Sequence, residues 1–203
     1  MTKQKTIVII IVVSILVFTA AALIAYFTTA PKDIYTELSD IVNAKYDNTN
    51  LTVTTEQDGL TLTSTFAIVN NRDGTVTINY SVQSFALIDP DADNSNDVVT
   101  ATGMVKLANG NVTQQTGDKV DVNFSNISRV KMFFAEQNFS DVKTENGIFS
   151  AKVTRPQSFL NAPSLKCSDM TISFVYSVSA QRNVIIHYNT EGGAAVTLTY
   201  NFS

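Results

Sequence analysis

Across residues 51–202 apolar side chains recur at every second position, the period of a strand with one buried and one wet face. The clearest runs are Leu60, Leu62, Phe66 and Ile68; Val76, Ile78, Tyr80 and Val82; and Val120, Val122 and Phe124. Further along come Ile172, Phe174, Tyr176 and Val178; Val184, Ile186 and Tyr188; and Val196, Leu198, Tyr200 and Phe202. Between runs, Asn71-Arg72-Asp73-Gly74, Asn109-Gly110, Asn146-Gly147, Gln181-Arg182-Asn183 and Glu191-Gly192-Gly193 supply tight-turn chemistry. The intervals leave no room for crossover helices, so successive strands are expected to pair antiparallel as meanders.

Two stretches break the alternation. Residues 129–139 carry Met132, Phe133, Phe134 and Phe139, and residues 156–162 carry Phe159 and Leu160. Short aromatic segments inside a meander predict loops or helical turns tucked against the sheet, filling its core or lining an apolar pocket. These six side chains are the ligand-pocket candidates. Upstream, residues 33–44 place Ile34, Leu38, Ile41 and Val42 on one face at helical spacing, which predicts a short amphipathic helix packed on the sheet.

An internal echo runs through the pattern. Residues 55–60 resemble 144–148, residues 78–82 resemble 172–178, and residues 120–124 resemble 196–202, in the same order. Duplication and the shared Thr- and Val-rich composition of strands explain this equally well.

Ahead of all this, residues 7–27 contain no charge and only Ser14 and Thr19 as polar members. As a helix the run reaches roughly 30 Å, enough to cross a bilayer. A cleavable signal has an apolar core of only about 7–15 residues. Leu23, Ile24, Tyr26 and Phe27 continue past the nearest small-residue site at Ala20-Ala21-Ala22, so the expectation is a retained anchor, with cleavage and secretion as the alternative. Lys3 and Lys5 precede the run, which favours a cytosolic N-terminus and an extracytoplasmic domain. The expected layout is a basic tail over 1–6, a transmembrane anchor over 7–27, linker and amphipathic helix over 28–50, and a β-rich domain over 51–203.

A helix, a long antiparallel meander broken midway by aromatic turns, and a closing hairpin resemble the lipoprotein-carrier superfamily typified by periplasmic LolA-type chaperones. The resemblance covers residues 33–203 in strand pattern and includes no diagnostic motif, so no family binding residue is carried over. It implies a curved half-barrel around an apolar cavity plugged by short helices. A β-sandwich is the alternative.

Composition narrows the chemistry. The formal charge is −4, and since Lys3 and Lys5 belong to the tail the domain itself is more acidic, which argues against nucleic acid as a partner. Cys167 is the only cysteine, so no intramolecular disulfide and no multi-thiolate metal site can form. His187 is the only histidine and sits in a strand without a partner motif. Ser128 and Lys131 have the spacing of penicillin-recognising enzymes, but the companion elements are absent. Asp89, Asp91, Asp93 and Asp97 are hard oxygen ligands that calcium accepts, yet no register puts Gly sixth and an acid twelfth. A solvated acidic loop is the expectation there.

No catalytic residue and no cofactor is expected. The chain reads as a non-enzymatic, single-pass, membrane-anchored binding domain for a lipid or other apolar ligand. The alternative is a cell-surface adhesion or protein-interaction module with a protein or cell-wall partner.

Overall fold

A computed structural model of the chain describes residues 33–44, 46–85, 98–128, 132–177 and 182–203. Helix α1 spans Ile34–Asn43. Asp33 caps it: its carboxylate accepts from the Tyr35 and Thr36 backbone amides, at 2.8 and 3.3 Å, and from the Thr36 hydroxyl at 2.6 Å. The chain divides into two units, Met1–Glu37 and Leu38–Ser203. The described part of the first is the capped turn of α1; the second holds everything else.

Ten strands follow. The first five are β1 (Asn48–Gln57), β2 (Leu60–Asn70), β3 (Val76–Phe85), β4 (Val98–Ala108) and β5 (Asn111–Gly117). The second five are β6 (Phe139–Glu145), β7 (Ile148–Val153), β8 (Cys167–Val175), β9 (Arg182–Thr190) and β10 (Ala195–Phe202). Asp58-Gly59, Asn109-Gly110 and Asn146-Gly147 all take positive φ in two-residue hairpins, the turn whose twist matches that of the strands it joins.

All ten strands lie in one antiparallel sheet ordered β5-β4-β3-β2-β1-β10-β9-β8-β7-β6. The two-sheet sandwich is therefore not what forms among the described residues. Two five-stranded meanders meet where β1 pairs with β10, from Thr49 opposite Phe202 to Glu56 opposite Ala195. β5 and β6 are left as the outer strands.

This order bears on the internal echo. Residues 55–60 and 144–148 surround the first turn of each meander, and Ile78 and Ile172 lie in the third strand of each. Every pairing is antiparallel, so β6 runs opposite to β1. Both meanders step across the sheet in the same direction, with the same face buried, from oppositely directed first strands. They are of opposite hand, and no rotation superposes them. A tandem duplication would have produced equal hands, so shared strand composition accounts for the echo.

One face of the sheet is apolar. Across the register it carries Tyr80, Phe66, Leu51, Tyr200, Val184, Phe174 and Phe149, all buried. The other face presents Thr65, Thr52 and Thr199 at successive positions, followed by Ile185 and Ser173. A one-residue slip would exchange these sets, which is what holds the register.

Between the outer strands β5 and β6 in the chain, residues 118–128 and 132–138 pack on the apolar face and form the crossing segment. Asp118 accepts through its carbonyl from the Tyr80 hydroxyl, on β3. Helix α2 (Phe124–Ile127) then sets the Phe124 ring 5.1 Å from that of Tyr80. Farther on, Phe134 meets Phe174 of β8 at 5.8 Å and Phe149 of β7 at 6.1 Å. A 3-10 turn at Glu136–Asn138 leads into β6.

Several expectations need correction. The alternation at Val120, Val122 and Phe124 is not a strand: residues 118–123 are irregular, and the Asn123 side chain caps α2 by accepting from the Asn126 amide at 3.1 Å. The apolar run 7–27 lies outside the described residues, as do Asp89, Asp91, Asp93, Asp97 and Lys131. Among the described residues no helix is long and apolar enough to cross a membrane.

Candidate functional site

The six aromatic and apolar candidates separate by burial. Met132, Phe134, Phe139 and Phe159 are buried, Leu160 is half-buried, and Phe133 is 48% exposed. Helix α3 (Pro156–Phe159) delivers Phe159 to Phe139 at 5.3 Å and to Phe134 at 5.5 Å. The Phe133 amide donates to the Phe159 carbonyl at 2.8 Å, which ties the crossing segment to α3. These rings, with Phe149 and Phe174, pack edge-on and stacked against each other, the geometry their quadrupoles favour. They form a buried cluster over the second meander. Asn138 is buried among them: its side-chain amide donates to the Phe133 carbonyl at 2.9 Å, while its Oδ1 has no protein partner.

Open space lies instead over the junction of the meanders. A groove of about 560 Å³ is lined by Val42 in the last turn of α1, Ala44 after it, Tyr46 and Asp47 before β1, and Thr49 on β1. The β2–β3 turn contributes Asn70, Asn71, Arg72 and Thr75, and Ser128 closes the groove from the crossing segment. Its inner end adjoins a crevice of about 70 Å³ that shares Thr49, Asn70 and Ser128 and adds Ile68, Ile127 and Tyr200. Polar and apolar side chains are mixed along both linings. None of the six sequence candidates lines either space.

The walls are held by hydrogen bonds. The Asn70 side-chain amide donates to the Tyr46 carbonyl at 2.8 Å, and that of Asn71 donates to the Thr75 and Thr77 hydroxyls at 3.0 and 2.9 Å. The Tyr46 hydroxyl donates to the Ile41 carbonyl at 2.7 Å and accepts from Arg182 at 3.0 Å, while its ring rests 4.9 Å from that of Phe202. Next to Arg72, the Asp73 carboxylate is engaged by the Thr75 hydroxyl and amide and by Lys106, which hold its pKa down to about 2. At the crevice, burial pushes the Tyr200 hydroxyl well above the usual phenol range, so it stays neutral.

These mouth residues escaped the sequence pattern. They come from three turns far apart in the chain, and each taken singly is ordinary turn chemistry. A signal was present only in the cluster Asn70-Asn71-Arg72-Asp73, where a cation sits among turn formers.

The remaining candidates are structural. His187 is exposed on the polar face, its Nδ1 2.7 Å from the Thr197 hydroxyl. The Ser128 hydroxyl donates to the Ser125 carbonyl at 2.9 Å. Cys167 lines a second cavity, of about 280 Å³, with Gln157, Lys166, Ser168, Thr190 and Glu191. Lys166 there pairs with Glu191 at 3.2 Å, and burial raises the Cys167 pKa, the reverse of what an activated thiol needs.

No family model matches the sequence, and no curated protein matches it. Among solved structures, a trans-AT PKS dehydratase domain from Brevibacillus brevis aligns over 83% of this chain and 83% of that one, at 11% identity and a TM-score of 0.19. A TM-score that low carries no argument about fold or activity.

Proposed function

We propose that the chain is a membrane-anchored, extracytoplasmic, non-enzymatic binding domain in which the sheet curves as a half-barrel around a lipid or other apolar ligand. The observation that carries this is the open space between the sheet and the segment that lies over it. A groove of about 560 Å³ adjoins a crevice of about 70 Å³ whose walls include Ile68, Ile127 and Tyr200 beside Thr49, Asn70 and Ser128. Ligand sites are commonly concave, about 300–1,000 Å³, and lined by apolar surface with a few placed polar groups. The apolar face is also crossed by a separate segment rather than by a second sheet, the architecture that the LolA-type resemblance implies. The run 7–27 supplies the anchor, with Lys3 and Lys5 left in the cytosol.

The test is to strip the full chain of lipid and titrate it with a fluorescent fatty-acid probe, in parallel with mass spectrometry of whatever co-purifies. Saturable uptake, reduced by Ile127→Glu at the crevice, is the expected result. No co-purified amphiphile and no probe uptake would refute the proposal. Retention on cell-wall polymer in that case would favour the interaction-module alternative.

A further inference from the structure

The two outer strands of the sheet are defended unequally. Among the described residues β5 pairs with β4 alone and β6 with β7 alone, so each keeps one flank open. On β6, Asp141 and Val142 bulge out of register between Ser140 and Lys143, Asp141 takes positive φ, and Asp141, Lys143 and Glu145 place charge at every second position. Bulges and charges of this kind keep an edge from pairing with another chain. β5 reads Asn-Val-Thr-Gln-Gln-Thr-Gly, carries no charge and no proline, and is exposed along its whole length. Its bulge, at Thr113, lies near the start, where the Thr113 hydroxyl donates to the Lys106 carbonyl at 3.0 Å.

Beyond that bulge the register is regular, with Gln114 opposite Lys106, Gln115 opposite Val105, Thr116 opposite Met104 and Gly117 opposite Gly103. The Asp118 amide donates to the Thr102 carbonyl at 2.9 Å, the next step of the same register. Hydrogen-bonded and non-hydrogen-bonded pairs alternate in an antiparallel ladder, so Gln114, Thr116 and Asp118 direct their backbone groups to β4. Gln115 turns its N–H and C=O away from the sheet. We propose that this edge pairs with the β5 edge of a second copy of the chain, antiparallel, with Gln115 opposite Gln115 about a two-fold axis, so that two sheets become one.

The residues of the edge are complementary to themselves. Pairing about Gln115 sets Gln114 against Thr116 and Thr113 against Gly117 in both directions, and no like charges meet. The same operation on β6, about Lys143, would set Lys143 against Lys143 and Asp141 against Glu145, both repulsive. A contact from β5 to the β6 of another copy would repeat without closing, whereas the β5 pair closes at two chains. Seven residues a side fall well short of the roughly 20–30 of a standard interface, so the dimer is weak, with a dissociation constant of roughly 10–300 µM. The contact does not depend on what the groove holds.

The test follows the full chain in detergent by sedimentation, from about 1 µM to about 1 mM, with hydrogen exchange at the Gln115 amide read in parallel. A monomer–dimer equilibrium is expected, in which that amide gains protection as the dimer accumulates. Gln115→Pro deletes the outward N–H and leaves the ladder to β4 intact, a position at which an edge strand accepts proline. It removes two hydrogen bonds per dimer and should weaken association at least about tenfold. Gln115→Lys and Gln115→Glu should each weaken it as well, and an equimolar mixture of the two should restore it. Thermal melts matching the parent show that the variants fold; if Gln115→Pro does not, Gln115→Lys, Gln115→Glu and their mixture decide.

A parent that stays monomeric throughout overturns the proposal. So does a dimer indifferent to these substitutions, which would place the contact elsewhere, the apolar run 7–27 included. Species that grow past the dimer would show an open row of chains and refute the two-fold pairing.

Discussion

Phe133 and Phe134 are adjacent in the chain and opposite in fate, which makes them a sharp test of what holds the crossing segment down. Phe134 is 7% exposed and touches four other rings, those of Phe139, Phe149, Phe159 and Phe174, at centroid distances of 5.5 to 6.1 Å. A phenylalanine removes roughly 150–250 Å² from water, which at about 25 cal/mol/Å² is about 4–6 kcal/mol as an upper bound. Truncation to alanine at such sites costs about 3–5 kcal/mol, the cavity included. Phe134→Ala should therefore lose about 3–5 kcal/mol, a large share of the roughly 5–15 kcal/mol available to a domain. Phe133→Ala should lose less than about 1 kcal/mol. Urea unfolding followed by far-ultraviolet circular dichroism reads the difference, since the chain has no tryptophan. Equal midpoints for the two variants would refute the claim that Phe134 pins the segment to the second meander.

Gly103 faces Tyr80 across the β3–β4 pair, and a Cβ there would collide with the Tyr80 hydroxyl and the Thr116 carbonyl. Gly103→Ala should cost about 1–3 kcal/mol in the same unfolding assay, whereas Gly192→Ala, with only Thr190 Oγ1 nearby at 3.8 Å, should stay within about 0.5 kcal/mol. Asp73 has its folded pKa lowered from 3.8 to about 2, chiefly by the Thr75 hydroxyl. Its stabilising contribution is thus complete above 3.8 and fades as the pH falls toward 2, a window that Asp73→Asn should remove from the pH-stability profile and that a carbon-detected titration of the carboxyl should locate. Burial raises the Cys167 thiol pKa. Its reaction with a disulfide reagent at neutral pH should be slower than that of a free cysteine peptide and should accelerate only at alkaline pH; rapid neutral modification would contradict the geometry.

Much of the sheet was legible because burial on one face forces alternation. Leu60 to Ile68, Val76 to Val82 and Val196 to Phe202 all fall in strands, with Asn109-Gly110 and Asn146-Gly147 as the expected hairpins. Strand order was not legible, since β1 and β10 recognise each other across nearly the whole domain and no local pattern encodes that pairing. The alternation at Val120 and Val122 misled because two apolar residues at period two are also compatible with an irregular segment, and Asn123 ends it as a cap. The aromatic surplus near Met132 marked the crossing segment correctly, but not which rings turn inward. That depends on Phe133 giving its amide to the Phe159 carbonyl while Phe134 faces Phe174. The groove mouth was invisible because its walls, at Asp47, Arg72 and Ser128, are brought together only by the finished sheet.

The seam between β1 and β10 also bears on how such a chain is made. The first meander contains only neighbouring hairpins, so it can assemble as the polypeptide emerges. Its innermost strand then has a bare flank until β10, which ends at Phe202, has been made. A naked edge of that length invites pairing with other chains. Biogenesis is therefore most exposed to error until β10 reaches a partner made long before it. Loss of only that strand would remove the backbone ladder between the two half-sheets and leave β1 and β9 with bare edges.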